Sequence, residues 1–107
     1  MTDLPTTSPA FDLIIRGGTI GSATGSFRGD LAVRDGKVAA LGLGLGEAAR
    51  EIDATGKLVL PGGVDTHAHV EQVSAGGLLN ADTFESATAS AAFGGTTTLI
   101  SFAAQHR

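Results

Sequence analysis

Cysteine is absent from this chain, which excludes both a disulfide framework and a thiolate metal site. Basic residues are scarce: 7 Lys+Arg stand against 11 Asp+Glu, for a formal net charge of −4. That balance supplies no field for binding nucleic acid or an anionic membrane. Apolar runs are short, and none approaches the ~20 residues that span a bilayer. Residues 1–10 hold Thr, Ser and two prolines but neither a basic n-region nor an apolar stretch, so no signal peptide is expected there. We expect them to be a disordered N-terminus on a cytoplasmic protein.

What the chain does have is concentrated in Pro61-Gly62-Gly63-Val64-Asp65-Thr66-His67-Ala68-His69. Side chains alternate between the faces of a β-strand, so residues at i and i+2 share a face. His67 and His69 therefore project together, and Asp65 joins them if the strand is regular. Neutral imidazole is the commonest metal-binding side chain. A lone histidine near a turn is ordinary, but a His-x-His pair closing an apolar run forms half of a divalent-metal site. Asp65 either supports that pair or stabilises the strand–loop junction.

Upstream, residues 11–57 read as a small antiparallel β-layer. Phe11 to Arg16 is a strand closed by the turn pair Gly17-Gly18, and Gly21 to Gly29 is a turn-rich connection. Asp35-Gly36 between two apolar runs predicts a type I′ hairpin, because both central residues need positive φ. From Leu58 the pattern changes. Val64 to His69 is read as a strand, Val70 to Ala81 as its following loop, and Thr96 to Phe102 as a second, parallel strand. Between them Asp82 is placed to N-cap a helix, with Glu85 three residues on. Phe84, Ala87 and Ala91 form an apolar stripe, and Gly94 stands as the C′ residue. Gly94-Gly95 lacks the surrounding glycine or Walker pattern of a phosphate cradle.

The run from Asp53 to His69 resembles the N-terminal signature of the amidohydrolase superfamily. Ala81-Asp82-Thr83-Phe84-Glu85-Ser86 and Ala91-Ala92-Phe93-Gly94-Gly95-Thr96-Thr97-Thr98 narrow it to the cyclic amidohydrolases, in the dihydropyrimidinase and hydantoinase branch. The resemblance runs from about Asp12 to Gln105. It implies an N-terminal β-sandwich-like domain (residues 11–57) followed by the start of a (β/α)₈ barrel (residues 58–107). Such a barrel takes roughly 250 residues, so 107 residues hold only its first βαβ unit.

The resemblance further implies two divalent ions, zinc being the expected metal, about 3.5–4 Å apart and sharing a hydroxide that opens a cyclic amide. His67 and His69 are the metal ligands it assigns to this chain. A carboxylated lysine, two further histidines and a proton-shuttling aspartate are implied from later barrel strands. None has a counterpart here, since Lys37 and Lys57, the lysines of the chain, both precede the histidine pair. No catalytic residue is therefore expected within the chain, which alone should be inactive as an N-terminal fragment. His106, near the terminus, is read as a solvated or loop residue rather than a ligand.

Position 71 bears on the substrate. Dihydroorotase-like relatives carry an arginine two places after the second histidine, and Glu71 stands there in this chain. A carboxylate repels an anionic substrate, which favours a neutral dihydropyrimidine, hydantoin or related imide. The resemblance implies a homo-oligomer, a tetramer, as the parent assembly. The alternative is a non-catalytic scaffold of the dihydropyrimidinase-related type, whose members have lost metal ligands; the retention of His67 and His69 argues against it.

Overall fold

The computed structural model describes residues 8–103, which form two compact units dividing between Pro61 and Gly62. Residues 1–7 of the expected disordered N-terminus, and His106, lie outside the described residues.

The first unit is a five-stranded sheet built on β1 (Phe11–Ser22). On one edge β1 pairs antiparallel with β2 (Gly25–Arg34), which pairs antiparallel with β3 (Lys37–Gly42). On the other edge β4 (Ala48–Asp53) and β5 (Leu58–Val59) both run parallel to β1. The layer expected from sequence to be antiparallel is thus one mixed sheet among the described residues. The physical reason is the far edge of β1, whose backbone N–H and C=O groups need partners. The chain after β3 meets that need from the side opposite β2, where both added strands run parallel to β1. Leu58 and Val59 consequently stay with the first sheet, opposite Thr19 and Ile20.

Asp35 and Gly36 adopt φ of 51° and 72°, the positive values a type I′ turn requires. Gly17-Gly18 does not end a strand. β1 continues through a bulge between Ile15 and Gly18, with Gly17 at φ 72°. The buried Asp30 holds this bulge by accepting the Gly17 N–H at 2.9 Å. The glycine-rich stretch after it is also strand on both sides of a tight turn, with Ser22 opposite Gly25. Glycine weakens a strand locally, but an unbroken ladder to β2 overrides that preference. Ile14 and Ala32, register partners on β1 and β2, are both completely buried and mark the centre of this unit.

The second unit contains β6 (Gly63–Ala68), α1 (Phe84–Phe93) and β7 (Thr96–Ser101), with β6 and β7 parallel. The strand–helix–strand order is as expected, while both helix caps are displaced by one residue. Thr83, not Asp82, is the N-cap: its hydroxyl accepts the Ser86 N–H at 3.1 Å and the Ser86 hydroxyl accepts the Thr83 N–H at 3.0 Å. Asp82 accepts from the Ser86 hydroxyl at 2.9 Å instead. A Thr–Ser reciprocal pair satisfies two orphan donors, which Asp82 and Glu85 in that spacing do not. At the other end Gly94 keeps helical φ, and Gly95 takes the left-handed position at φ 87°. Ala87 and Ala91 are half-buried, but Phe84 remains 51% exposed, so the apolar stripe is covered only in part. Among the described residues no helix is long and apolar enough to cross a membrane.

Candidate metal centre

His67 lies near the end of β6 and His69 one residue past it. Asp65 sets the geometry of this strand end. Its Oδ1 accepts the backbone N–H of His67 at 3.0 Å, and the β6–β7 register slips between Asp65 and Ala68. Asp65 therefore stabilises the strand–loop junction, with its carboxylate on the backbone. Beyond it the two imidazoles converge, with Nε2 of His67 and Nε2 of His69 3.1 Å apart. Both side chains are exposed.

That separation is a test of the donor set. A Zn–N bond is about 2.0–2.1 Å, so 3.1 Å between the nitrogens lets one ion touch both. Nitrogen donors of this kind suit zinc and its first-row neighbours. Among the described residues no group of three or more His, Cys, Asp or Glu is gathered as a metal cluster.

Two residues that the sequence reading did not single out complete the surroundings. Gln72 places its Oε1 2.7 Å from Nδ1 of His69, and its amide nitrogen donates to the carbonyl oxygen of Phe102. The Phe102 ring lies 4.2 Å from the His67 ring, and 4.9 Å from that of His69 with an interplanar angle of 14°. Phe102 follows β7 directly, and its N–H donates to the Ala68 carbonyl at 2.8 Å, continuing the parallel ladder. The legible signal was register: the residue after one parallel strand lies beside the end of its neighbour. Gln72 carried no comparable signal, because its role depends on the fold of its loop.

The loop after His69 is a small closed structure. Gln72 and Asn80 exchange two hydrogen bonds at 2.9 Å, and Val73 bridges to Leu79. Glu71, at φ 51°, turns its carboxylate to the start of α1, where Oε2 accepts the Phe84 N–H at 2.9 Å. Position 71, which bore on substrate charge in the sequence reading, serves the helix here, whose N-terminal dipole favours a negative charge. Two clefts of this unit, about 350 and 430 Å³, are lined by residues including Val70 and Phe84 and by neither histidine.

No protein-family profile matches the chain. It is 52% identical over 96 residues to a D-hydantoinase of Ralstonia pickettii, covering 90% of the chain and 21% of that protein. A solved D-hydantoinase structure superposes with a TM-score of 0.85 at 52% identity, over 91% of this chain and 21% of the other. A more distant solved neighbour is an N-acyl-D-glutamate deacylase from Bordetella bronchiseptica, complexed with zinc and a phosphonate inhibitor. It gives a TM-score of 0.52 at 44% identity, over 59% of this chain and 14% of the other. The chain spans about a fifth of the length of the curated relatives it matches.

Proposed function

Since the chain belongs to the cyclic amidohydrolase branch of the amidohydrolase superfamily, we propose that it forms the first part of a metal-dependent hydrolase that opens cyclic amides. The observation that carries this reading is the 3.1 Å approach of the two imidazole Nε2 atoms at the end of a parallel strand. Active sites of β/α barrels lie at the C-terminal ends of such strands.

In this reading His67 and His69 hold a divalent ion, with zinc the expected metal and a second ion completed by residues outside this chain. Metal bound there lowers the pKa of a water and polarises the amide carbonyl of the substrate. The chain's own residues prepare the site. Asp65 fixes the backbone of His67. Phe102 covers a face of both imidazoles and restricts their rotation. Gln72 anchors His69. Two ligands do not make a complete centre, so the 107-residue chain is inactive alone and the chemistry belongs to the longer, homo-oligomeric protein that carries it. The substrate is a neutral ring, a hydantoin, dihydropyrimidine or related imide. Residues 70–81 contribute no Lys or Arg to pair with an anionic one. A non-catalytic scaffold has no need of converging Nε2 atoms, which weighs against that alternative.

The test is ring opening by the complete protein on hydantoin and dihydrouracil, before and after removal of metal with a chelator and after restoring zinc. Activity lost on removal and regained with zinc is the expected result. No ring opening on either substrate at full metal loading would overturn the proposal.

A further inference from the structure

We infer that Gln72 is a positioning residue that selects the Nδ1–H tautomer of His69 and so leaves its Nε2 lone pair free for metal. The inference rests on the metal reading above and concerns how one ligand of that site is prepared.

The Phe102 carbonyl oxygen can only accept a hydrogen bond. The end of the Gln72 amide facing it is therefore the NH₂ group. This settles an orientation that an amide otherwise leaves open. The opposite end is then Oε1, an acceptor, 2.7 Å from Nδ1 of His69. An acceptor at that distance requires a proton on Nδ1. A neutral imidazole carries one N–H, so Nε2 is left as the bare nitrogen. That nitrogen is the one 3.1 Å from Nε2 of His67.

Gln72 can dictate this because its own position is fixed from two independent directions. Its backbone N–H donates to Asn80 Oδ1 and its carbonyl accepts the Asn80 N–H, both at 2.9 Å, which ties it into the loop. Its partner Phe102 is fixed by the Ala68 hydrogen bond at 2.8 Å and by stacking on His69. The two imidazoles are not equivalent in this respect. Among the described residues no side chain accepts a hydrogen bond from Nδ1 of His67; its Nε2 meets the bare Nε2 of His69 at 3.1 Å, so in the metal-free state the proton between the two rings is carried by His67.

The experiment uses the complete metal-free protein, labelled with ¹⁵N-histidine and measured by solid-state NMR where the imidazoles are neutral. The His69 signals are identified by their loss in His69→Asn. We expect His69 in the Nδ1–H form. Gln72→Met, which removes the acceptor at similar size, should shift it towards the Nε2–H form and weaken zinc affinity, read by chelator competition, roughly 10- to 100-fold. Gln72→Glu keeps an acceptor for Nδ1 while losing the donor to Phe102, and should retain the Nδ1–H tautomer. An Nε2–H form in the unsubstituted protein overturns the inference. So does a Gln72→Met variant with unchanged tautomer, or one whose tautomer shifts without any change in zinc affinity. Failure of the underlying metal reading has a different signature: zinc affinity indifferent to loss of His67 and His69 themselves.

Discussion

Glu71 and Phe84 are joined by a hydrogen bond of 2.9 Å from the Phe84 backbone N–H to the Glu71 carboxylate, across thirteen residues of chain. The contact couples the loop that leaves the histidine pair to the first turn of α1. It places a negative charge where the helix dipole stabilises one. Glu71→Ala should lower the stability of the folded protein by about 1 kcal/mol, seen as a lower urea midpoint with unchanged slope. Glu71→Gln, which keeps an acceptor, should lose less. Equal losses in both variants would show that the hydrogen bond is not the source of the effect.

The histidine pair gives the most direct test of the site. In the complete protein, His67→Ala and His69→Ala should each reduce bound metal and ring-opening rate together, because on the proposed reading each removes a ligand. Elemental analysis beside a hydrolysis assay measures both. Variants that keep full metal and full activity would remove the basis of the assignment.

Gly18 sits where β1 passes close to the chain leaving β4. A Cβ there would lie 2.7 Å from Val59 Cγ2 and 3.1 Å from the Ala54 Cβ, and Ala54 is buried. Gly18→Ala should therefore destabilise the first unit by roughly 1–3 kcal/mol through overpacking. Thermal melts of the variant and of the double variant Gly18→Ala/Val59→Ala provide the check. Relief in the double variant identifies the Val59 contact as the cause.

Arg16 ties three strands of the first sheet, reaching Glu51 at 2.6 Å and Asp30 at 3.4 Å. The hydrogen bond from Arg16 holds the Glu51 carboxyl below its ordinary range, with the guanidinium charge acting in the same direction. A carboxyl depressed in the folded state contributes stability above its unfolded pKa and loses it as pH falls through the folded value. Glu51→Gln should thus be less stable than the parent at neutral pH, and the two should converge in acid. The gap should be small and should shrink with added salt, since the pair is partly exposed. A gap that widens in acid contradicts this account.

Substrate choice can be read from relative kcat/KM of the complete protein on dihydrouracil, hydantoin, succinimide and dihydroorotate at identical metal loading. On the proposed reading the neutral rings should be favoured, because residues 70–81 hold no cation to pair with an anionic ring. A clear preference for dihydroorotate would sink the neutral-ring argument while leaving the metal site intact.

The sequence by itself determined those features that depend on near neighbours. Positive φ at Asp35 and Gly36 follows from a two-residue turn between apolar runs. The common side of His67 and His69 follows from their spacing, and the strand–helix–strand order of the second unit from its periodicity. Tertiary structure decided whatever depended on a distant partner. Gly17-Gly18 became a bulge because Asp30, far along the chain, takes the Gly17 N–H. β4 joins the far edge of β1 because the open edge needed partners, a demand no local pattern expresses. Gln72 reached His69 only once its loop had closed on Asn80 and Phe102 had been set beside Ala68. Local sequence fixes dihedral preference and side-chain direction, whereas hydrogen-bond partners are chosen by whichever groups the assembled strands bring within about 3 Å.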